Sequence, residues 1–144
     1  IREIEIAEYA RDHEPPPAPD VRPLVLGTLW DRAVLRERIR VRLRERFLAG
    51  MLDEARHLHD NLGYSWERLE RLGLEYRFMA EYLQGKLGNR NDLLQKLAAA
   101  ICQFAKRQDT WFRRMERNGT HIHWVPRGDF DTARAIVEAA LDHA

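Results

Sequence analysis

A short apolar run near the start of the sequence constrains the fold more than any other feature. Pro23-Leu24-Val25-Leu26-Gly27-Thr28 has β propensity and almost no polar residues, as is typical of a strand buried on both faces, although the run alone does not exclude other buried structure. A buried strand needs neighbours on both sides, yet only His121-Ile122-His123-Trp124-Val125 alternates like a second strand. The sequence therefore predicts a mainly α chain with one or two short strands. It indicates the later part of a larger α/β fold.

Helical periodicity accounts for most of the remaining sequence. We expect a first helix over 1–13, a stiff proline-rich linker over 14–22, and a helical part of the core over 23–144. Within the last part, capping residues and glycines delimit helices over 32–48, 51–60, a short stretch after Ser65, 74–83, 92–117, and from Asp129 or Asp131 to about 142. Because the chain begins at Ile1 and not at Met, we expect a fragment or a processed product.

Composition excludes several classes of protein. With 44% hydrophobic and 33% charged residues, the 144-residue chain has a globular balance, and disorder is not expected for most of it. No run approaches the roughly 20 apolar residues that a membrane span needs. A single cysteine, Cys102, rules out an internal disulfide framework and fits a reducing compartment. We therefore expect a soluble, cytoplasmic protein with no membrane partner.

The net charge of +1 conceals two basic segments between acidic ends. Residues 32–46 sum to +5 with arginine as their only basic residue, and residues 104–117 sum to +3. Residues 1–20 sum to −4 and residues 129–144 to −3. Arginine favours bidentate recognition of phosphate or carboxylate, although a charge run by itself is more often a solvated helix face.

The first basic segment combines an apolar seam with arginines. The seam is Leu35, Ile39, Leu43 and Phe47. Arg38, Arg42 and Arg46 form a stripe beside it, which predicts that they border a cleft and bind a pyrophosphate or an RNA phosphate. Arg36, Arg40 and Arg44 are expected to be solvent charges. Pairing of the stripe with Glu37 and Glu45 is the alternative that involves no ligand.

The second basic segment, residues 103–114, mixes cations, amides and aromatic rings. That composition suits phosphate contacts and base stacking. The spacing of Phe104, Trp111 and Phe112 nevertheless favours an amphipathic helix with these rings in the core. Cys102 is expected to be a buried hydrophobe, and Trp30, Trp66 and Trp124 are expected to be packing residues. His57-x-His59 and His121-x-His123 lack a third ligand at recognisable spacing, so no metal site is predicted.

The same residues resemble a known family. The string QFAKRQDTWFRRMER (103–117) and the strand ending at Val125 resemble the C-terminal signature of the tRNA dimethylallyltransferases. The Gly73–Arg77 stretch with Tyr82-Leu83-Gln84-Gly85, the Leu35–Arg42 helix followed by Gly50, and Arg2-Glu3-Ile4-Glu5-Ile6 are similar to further elements of this family, in the same order.

The resemblance implies a fold and an activity. These enzymes transfer the dimethylallyl group of dimethylallyl diphosphate to N6 of the adenosine 3′ of a tRNA anticodon, and their fold is similar to P-loop kinases. Mg²⁺ assists the diphosphate. The family's phosphate loop is not found in this sequence, since no G-x-x-x-x-G-K-[ST] occurs in it. The resemblance thus implies no catalytic residue in this chain, with the general-base Asp and the Mg²⁺ ligands outside it. It further implies inactivity of the chain alone, and a monomer at full length.

The resemblance also assigns binding residues. Diphosphate binding falls on Arg42, with Arg38 on the same stripe. Binding of the tRNA anticodon stem-loop falls on Arg2, Arg71, Gly73, Tyr76, Arg77, Gln103, Lys106, Arg107, Gln108, Trp111 and Arg113. Two departures weaken individual assignments: Ile101-Cys102 stands where the family usually has Thr-Arg, and the Gly73–Arg77 turn is longer than the common Gly-Tyr-Arg.

Two other functions remain open from the residues alone. One is a non-catalytic helical RNA-binding module that uses both basic segments. The other is a structural half that associates with a separately encoded N-terminal part.

Overall fold

Seven helices and two strands make up the residues that the computed structural model describes, which are 2–12 and 21–142. The elements are, in chain order, α1 (Arg2–Asp12), β1 (Val25–Leu29), α2 (Arg32–Leu48), α3 (Met51–Asp60), α4 (Trp66–Arg71), α5 (Leu74–Leu83), α6 (Arg90–Arg117), β2 (Ile122–Pro126) and α7 (Phe130–Leu141). The prediction of a mainly helical chain with two short strands is confirmed. Most of the predicted linker over 14–22 lies outside the described residues.

Side-chain caps explain where the helices begin. The Asp31 carboxylate accepts hydrogen bonds from the backbone N–H groups of Ala33 and Val34 at 2.8 and 3.2 Å, as expected for the N-cap of α2. Asp129, and not Asp131, caps α7. Helix α6 starts two residues before the predicted Asp92, because the Asn89 side chain accepts the N–H of Asp92 at 3.0 Å and so caps the helix earlier.

The hydrophobic core lies where α2, α3, α5 and α6 meet. Leu93 and Leu97 of α6 are fully buried there, next to Met79 of α5 and Met51 of α3. Of the predicted α2 seam, only Leu43 is buried, while Phe47 packs against the edge of the cluster. The first half of α6 is therefore the centre of the packed body.

The two strands form a parallel pair, with Val25 opposite Ile122 and Leu29 opposite Pro126. The prediction that β1 is fully buried is wrong for the described residues, since Leu26 is 39% and Leu29 is 50% exposed. The reason is that, within the described part of the chain, β2 is the one strand next to β1, whereas burial of a parallel strand requires cover on both edges and both faces.

Gly27 allows the two strands to approach closely. A Cβ at this position would lie 2.8 Å from Ile122 Cγ2 and 2.8 Å from two atoms of the Trp124 ring. These distances are shorter than any ordinary carbon–carbon contact. A residue without a side chain is therefore needed at position 27, because the ring of Trp124 occupies the space that a Cβ would fill.

Helix α1 agrees with the predicted helix over 1–13, apart from Ile1 and His13, which are not described. Its apolar side chains Ile4 and Ile6 are exposed, so α1 adds nothing to the core that the described residues form. No described helix combines the length and the apolarity that crossing a bilayer requires.

Candidate functional site

An open groove runs between α2 and α6, and we call it the α2–α6 groove. Its volume is about 1090 Å³. One end lies at the carboxyl end of β1, where Thr28, Leu29 and Trp30 line it together with Trp124 of β2. In α/β folds, ligands bind beyond the carboxyl ends of parallel strands. The groove is therefore the candidate functional site.

The α2 wall of the groove carries Arg32, Arg36, Arg40 and Arg44, which we call the groove row. Arg38, Arg42 and Arg46 do not line the α2–α6 groove, so the expectation that they border a cleft is wrong for this groove. Arg36, Arg40 and Arg44 are exposed, as expected of solvent charges, but they also line the groove. Arg36 follows the seam residue Leu35, whereas Arg38 precedes the seam residue Ile39. One residue is about 100° of rotation on a helix of 3.6 residues per turn, so arginines flank the seam on both sides. Packing of α6 determines which flank forms a groove, and the sequence of α2 does not contain that information.

The other arginines of α2 have different surroundings. The Arg38 guanidinium lies 4.2 Å from the centroid of the Trp30 ring, a cation–π contact. Arg46 pairs with Glu75 of α5 at 3.3 Å. Arg42 is exposed. Diphosphate binding by Arg42 and Arg38 remains a prediction.

Helix α6 supplies the opposite wall. Four of the predicted tRNA-binding residues line the groove: Gln103, Lys106, Gln108 and Arg113. Between them lies Asp109, whose carboxylate contacts Arg113 at 3.4 Å and reaches across the groove to Arg32 at 3.8 Å. The groove thus places amides and cations from α6 opposite the arginines of α2, with one acidic side chain between the walls.

A smaller concavity lies between α5 and α6. Arg77, Gln103 and Arg107 line it over an apolar floor of Leu74, Ala99 and Ala100. Arg77 also pairs with Glu81 at 3.7 Å, and the Arg107 guanidinium lies 5.7 Å from the ring centroid of Phe104. The fold therefore brings Arg77, which is 26 positions earlier in the chain, next to Gln103.

Five predicted tRNA-binding residues line neither surface. Arg2 begins α1, and Arg71 ends α4. Gly73 has φ 144° and ψ 179°, a backbone conformation that side chains strongly disfavour, which explains a glycine at this turn without any ligand. The Tyr76 hydroxyl donates a hydrogen bond to Glu54. This hydrogen bond is the main cause that raises the pKa of Tyr76, and burial of the hydroxyl is the second cause. Trp111 of α6 is exposed.

The aromatic rings of α6 are not core residues, contrary to expectation. Phe104 is 48% and Trp111 61% exposed, and Phe112 is exposed as well. The spacing of these rings continues the apolar stripe of Leu93 and Leu97. Helix α6 has 28 residues and is about 42 Å long, so its second half extends beyond the helices that bury its first half. Near its end, Glu116 accepts a hydrogen bond from the Trp124 indole at 2.7 Å, which fixes α6 against β2.

The remaining sequence signals have local roles. His59 stacks on Trp66 at 3.5 Å, and the rings of His121 and His123 meet edge to face at 4.3 Å. Cys102 is half-buried and lines the groove, so the prediction of a buried cysteine is only partly met.

The chain was compared with known proteins. A model of the family described as IPP transferase matches residues 2–115. The chain is 56% identical over 132 residues to "tRNA dimethylallyltransferase 2" of Treponema denticola, a match that covers 87% of this chain and 44% of that relative. It is 55% identical over 138 residues to "tRNA dimethylallyltransferase 1" of Geotalea uraniireducens, covering 96% of this chain and 45% of that relative. The chain thus spans less than half the length of these relatives and corresponds to their C-terminal half.

Solved structures are similar as well, among them two transferases. The full-length tRNA isopentenylpyrophosphate transferase from Bacillus halodurans matches with a TM-score of 0.65 and 25% identity, over 99% of this chain and 48% of that one. The tRNA delta(2)-isopentenylpyrophosphate transferase from Staphylococcus epidermidis matches with a TM-score of 0.64 and 23% identity, over 83% of this chain and 36% of that one. Because the family model covers most of the sequence, the chain belongs to the IPP transferase family.

Proposed function

We propose that the chain is the C-terminal portion of a tRNA dimethylallyltransferase, which transfers a dimethylallyl group from dimethylallyl diphosphate to N6 of the adenosine 3′ of the anticodon. One observation supports this proposal most: amides and cations of the QFAKRQDTWFRRMER segment line one wall of the α2–α6 groove. The chain that carries this groove belongs to the IPP transferase family. We also propose that the whole enzyme has a P-loop kinase-like fold, to which β1 and β2 contribute two parallel strands.

Arginine chemistry supports a role of α2 in the transfer step. As N6 of the adenosine attacks C1 of the dimethylallyl group, the carbon–oxygen bond to the diphosphate breaks and negative charge accumulates on the leaving group. The proton that N6 loses goes to the general base, which is expected outside this chain. A guanidinium beside the leaving group stabilises that charge. In this proposal Arg42 supplies it, and Arg38, held against Trp30, lies one helical turn away.

The residues of α5 and α6 suit recognition of the RNA. Sequence-specific RNA recognition uses unstacked bases that amides and rings contact, and N6 of an adenosine must leave its stack to react. In this proposal, Lys106, Arg107, Gln108 and Arg113 hold the nucleotides and phosphates of the anticodon loop. Arg77 extends that surface onto α5, because it shares a concavity with Gln103 and Arg107.

The described residues do not fit a Mg²⁺ site. Mg²⁺ prefers oxygen ligands and is usually held by one or two carboxylates. The groove offers two carboxylates, but Asp31 caps α2 and Asp109 contacts two arginines. Within 2–12 and 21–142, no group of three His, Cys, Asp or Glu is arranged for a metal ion. The proposal therefore assigns no Mg²⁺ ligand to this chain and no step through the ion.

The isolated chain is proposed to be inactive. Its sequence contains no phosphate-binding loop with the G-x-x-x-x-G-K-[ST] pattern, and no acid–base pair in the groove replaces the general base. A cytoplasmic location and a monomeric full-length enzyme belong to the same proposal. A non-catalytic RNA-binding module is not favoured, because the relatives are named as transferases.

A chimera tests the proposed function. The C-terminal half of the Treponema denticola relative is replaced by this chain, and transfer of labelled dimethylallyl to an anticodon stem-loop RNA is measured. We expect activity from the chimera, none from the 144-residue chain alone, and a loss of at least tenfold in kcat for Arg42→Ala. Arg56→Ala is the matched control, since Arg56 is an exposed arginine on α3 that pairs locally with Asp53. A well-folded chimera that binds the RNA without transferring the group would contradict the proposal.

A further inference from the structure

The groove row has no role in the function proposed above. Its four arginines follow one another at intervals of four residues, so the row extends about 18 Å along α2. All four side chains are exposed. A row of this length exceeds what one diphosphate occupies, and it suits a chain of phosphates.

The charge of the groove is strongly positive. Six basic side chains line it, four from the groove row and two from α6, Lys106 and Arg113, against two acidic ones. The Asp31 carboxylate is engaged by the backbone of α2. Just outside the lining, Glu37 pairs with Arg40 at 3.6 Å. Among the described residues, Arg36 and Arg44 form no ion pair, so they remain available to an anion.

Asp109 lies between arginines of the two groove walls. Its carboxylate meets one arginine from each wall, Arg32 at 3.8 Å and Arg113 at 3.4 Å. Both pairs are partly exposed, and exposed pairs contribute only about 0–1 kcal/mol. An incoming phosphate therefore displaces this carboxylate at little cost.

Neutral groups in the groove indicate which polyanion fits. Asn91, Gln95, Gln103 and Gln108 bring amides, and Phe112 brings an aromatic ring. Amides form hydrogen bonds with the edges of unstacked bases, and aromatic rings stack on their faces. Proteins that bind single-stranded RNA use this combination of side chains. An acidic protein surface would use the arginines but not this series of amides.

We propose that the α2–α6 groove binds the phosphate backbone of a single-stranded RNA segment, with the groove row on successive phosphates and Asp109 as the internal counter-ion that the RNA displaces. This inference rests on the proposed function and extends it, since it adds a phosphate-binding wall on α2 opposite the predicted tRNA-binding residues of α6.

The test measures binding of a synthetic anticodon stem-loop RNA to the 144-residue chain as a function of salt. The groove variant carries Arg36→Ala, Arg40→Ala and Arg44→Ala. The control variant loses the same charge through Arg22→Ala, Arg56→Ala and Arg134→Ala, three exposed arginines that do not line the groove. Circular dichroism verifies that both variants remain helical.

We expect the groove variant to bind about tenfold to a hundredfold more weakly at physiological salt. The slope of log K against log salt should decrease in magnitude by about 2, because each phosphate contact on a single strand contributes about 0.7. The control variant should retain its affinity within about threefold. Asp109→Asn should bind about threefold to tenfold more tightly, since the competing carboxylate is gone.

Equal affinity and equal slope in the groove and control variants would overturn the inference. It also fails if the groove substitutions leave RNA binding by the 144-residue chain intact but prevent the chimera from folding, because the groove then packs against the other half of the enzyme. A chimera with the groove substitutions that transfers the dimethylallyl group with an unchanged KM for RNA refutes the groove inference alone and leaves the proposed function intact. Loss of transfer by the unsubstituted chimera refutes the proposed function.

Discussion

Gly27 is the position where a single methyl group should disturb both the strand pair and the end of the groove. In Gly27→Ala, the added Cβ lies 2.8 Å from Ile122 Cγ2 and from the Trp124 ring, well inside normal carbon contact distances of about 3.5–4.0 Å. Overpacking of this kind costs about 1–3 kcal/mol. Replacing a strand glycine by alanine otherwise gains roughly 0.5–1 kcal/mol, so the middle of both ranges gives an expected net loss of about 1 kcal/mol in the free energy of unfolding.

Urea unfolding followed by circular dichroism measures this loss as a lower midpoint with an unchanged m-value. Gly88→Ala is the matched control, because its Cβ would meet only Asp92 Oδ2 at 3.6 Å, an ordinary contact. We expect Gly88→Ala to lie within about 0.5 kcal/mol of the wild type. If Gly27→Ala is as stable as Gly88→Ala, the close approach of Trp124 to β1 is not a property of the folded protein.

Three further predictions concern other parts of the fold. Tyr76→Phe removes the hydrogen bond to Glu54 and should cost about 0.5–1.5 kcal/mol in urea unfolding. Because the pKa of Tyr76 is raised in the folded state, Tyr76 contributes to the free energy of unfolding below pH 10.0, and this contribution is lost as the pH rises through the folded pKa. The stability of Tyr76→Phe should therefore depend less on pH in that range. Leu97→Ala should cost about 2–5 kcal/mol, while Trp111→Ala should stay within about 0.5 kcal/mol; similar losses in both would place Trp111 in a core. Hydrogen bonds from Thr132 lower the pKa of Asp129. Asp129 therefore contributes to the free energy of unfolding above its unfolded pKa, and this contribution is lost as the pH falls through the folded pKa. In acid unfolding, the stability of Asp129→Ala should lack this pH-dependent loss.

Local patterns were sufficient to predict the elements. The N-caps Asp31 and Ser65 mark helix starts in the sequence as they do in the structure, since a capping side chain acts within three residues of its own position. Asn89 was missed, although its side-chain cap is the same kind of signal. The predicted strand at 121–125 is displaced by only one residue.

The sequence does not predict how the helices pack, and therefore which residues are buried and which line the groove. The periodicity of α6 is the same for Leu97 and Trp111, yet one is buried and the other exposed, because burial depends on where the neighbouring helices end. Similarly, both flanks of α2 carry arginines, and only its packing against α6 shows that Arg36 and Arg40 line the groove. Arginine chemistry predicts phosphate binding by α2 without the family resemblance, whereas the assignment of individual tRNA-binding residues depends on that resemblance.

The pairing of β1 with β2 has a consequence for how the chain folds. Val25 and its partner Ile122 are separated by 97 positions, with α2 to α6 between them. Contacts among the helices inside this loop are closer in sequence and shorten the loop that the strand pair must close, so we expect the helices to form first and the strand pair last. Native-state hydrogen exchange should therefore show the amides of β1 opening at a lower free energy than those around Leu93 and Leu97, and equal protection would exclude this order. The end of the groove at Trp30 and Trp124 would then be assembled in the final step of folding.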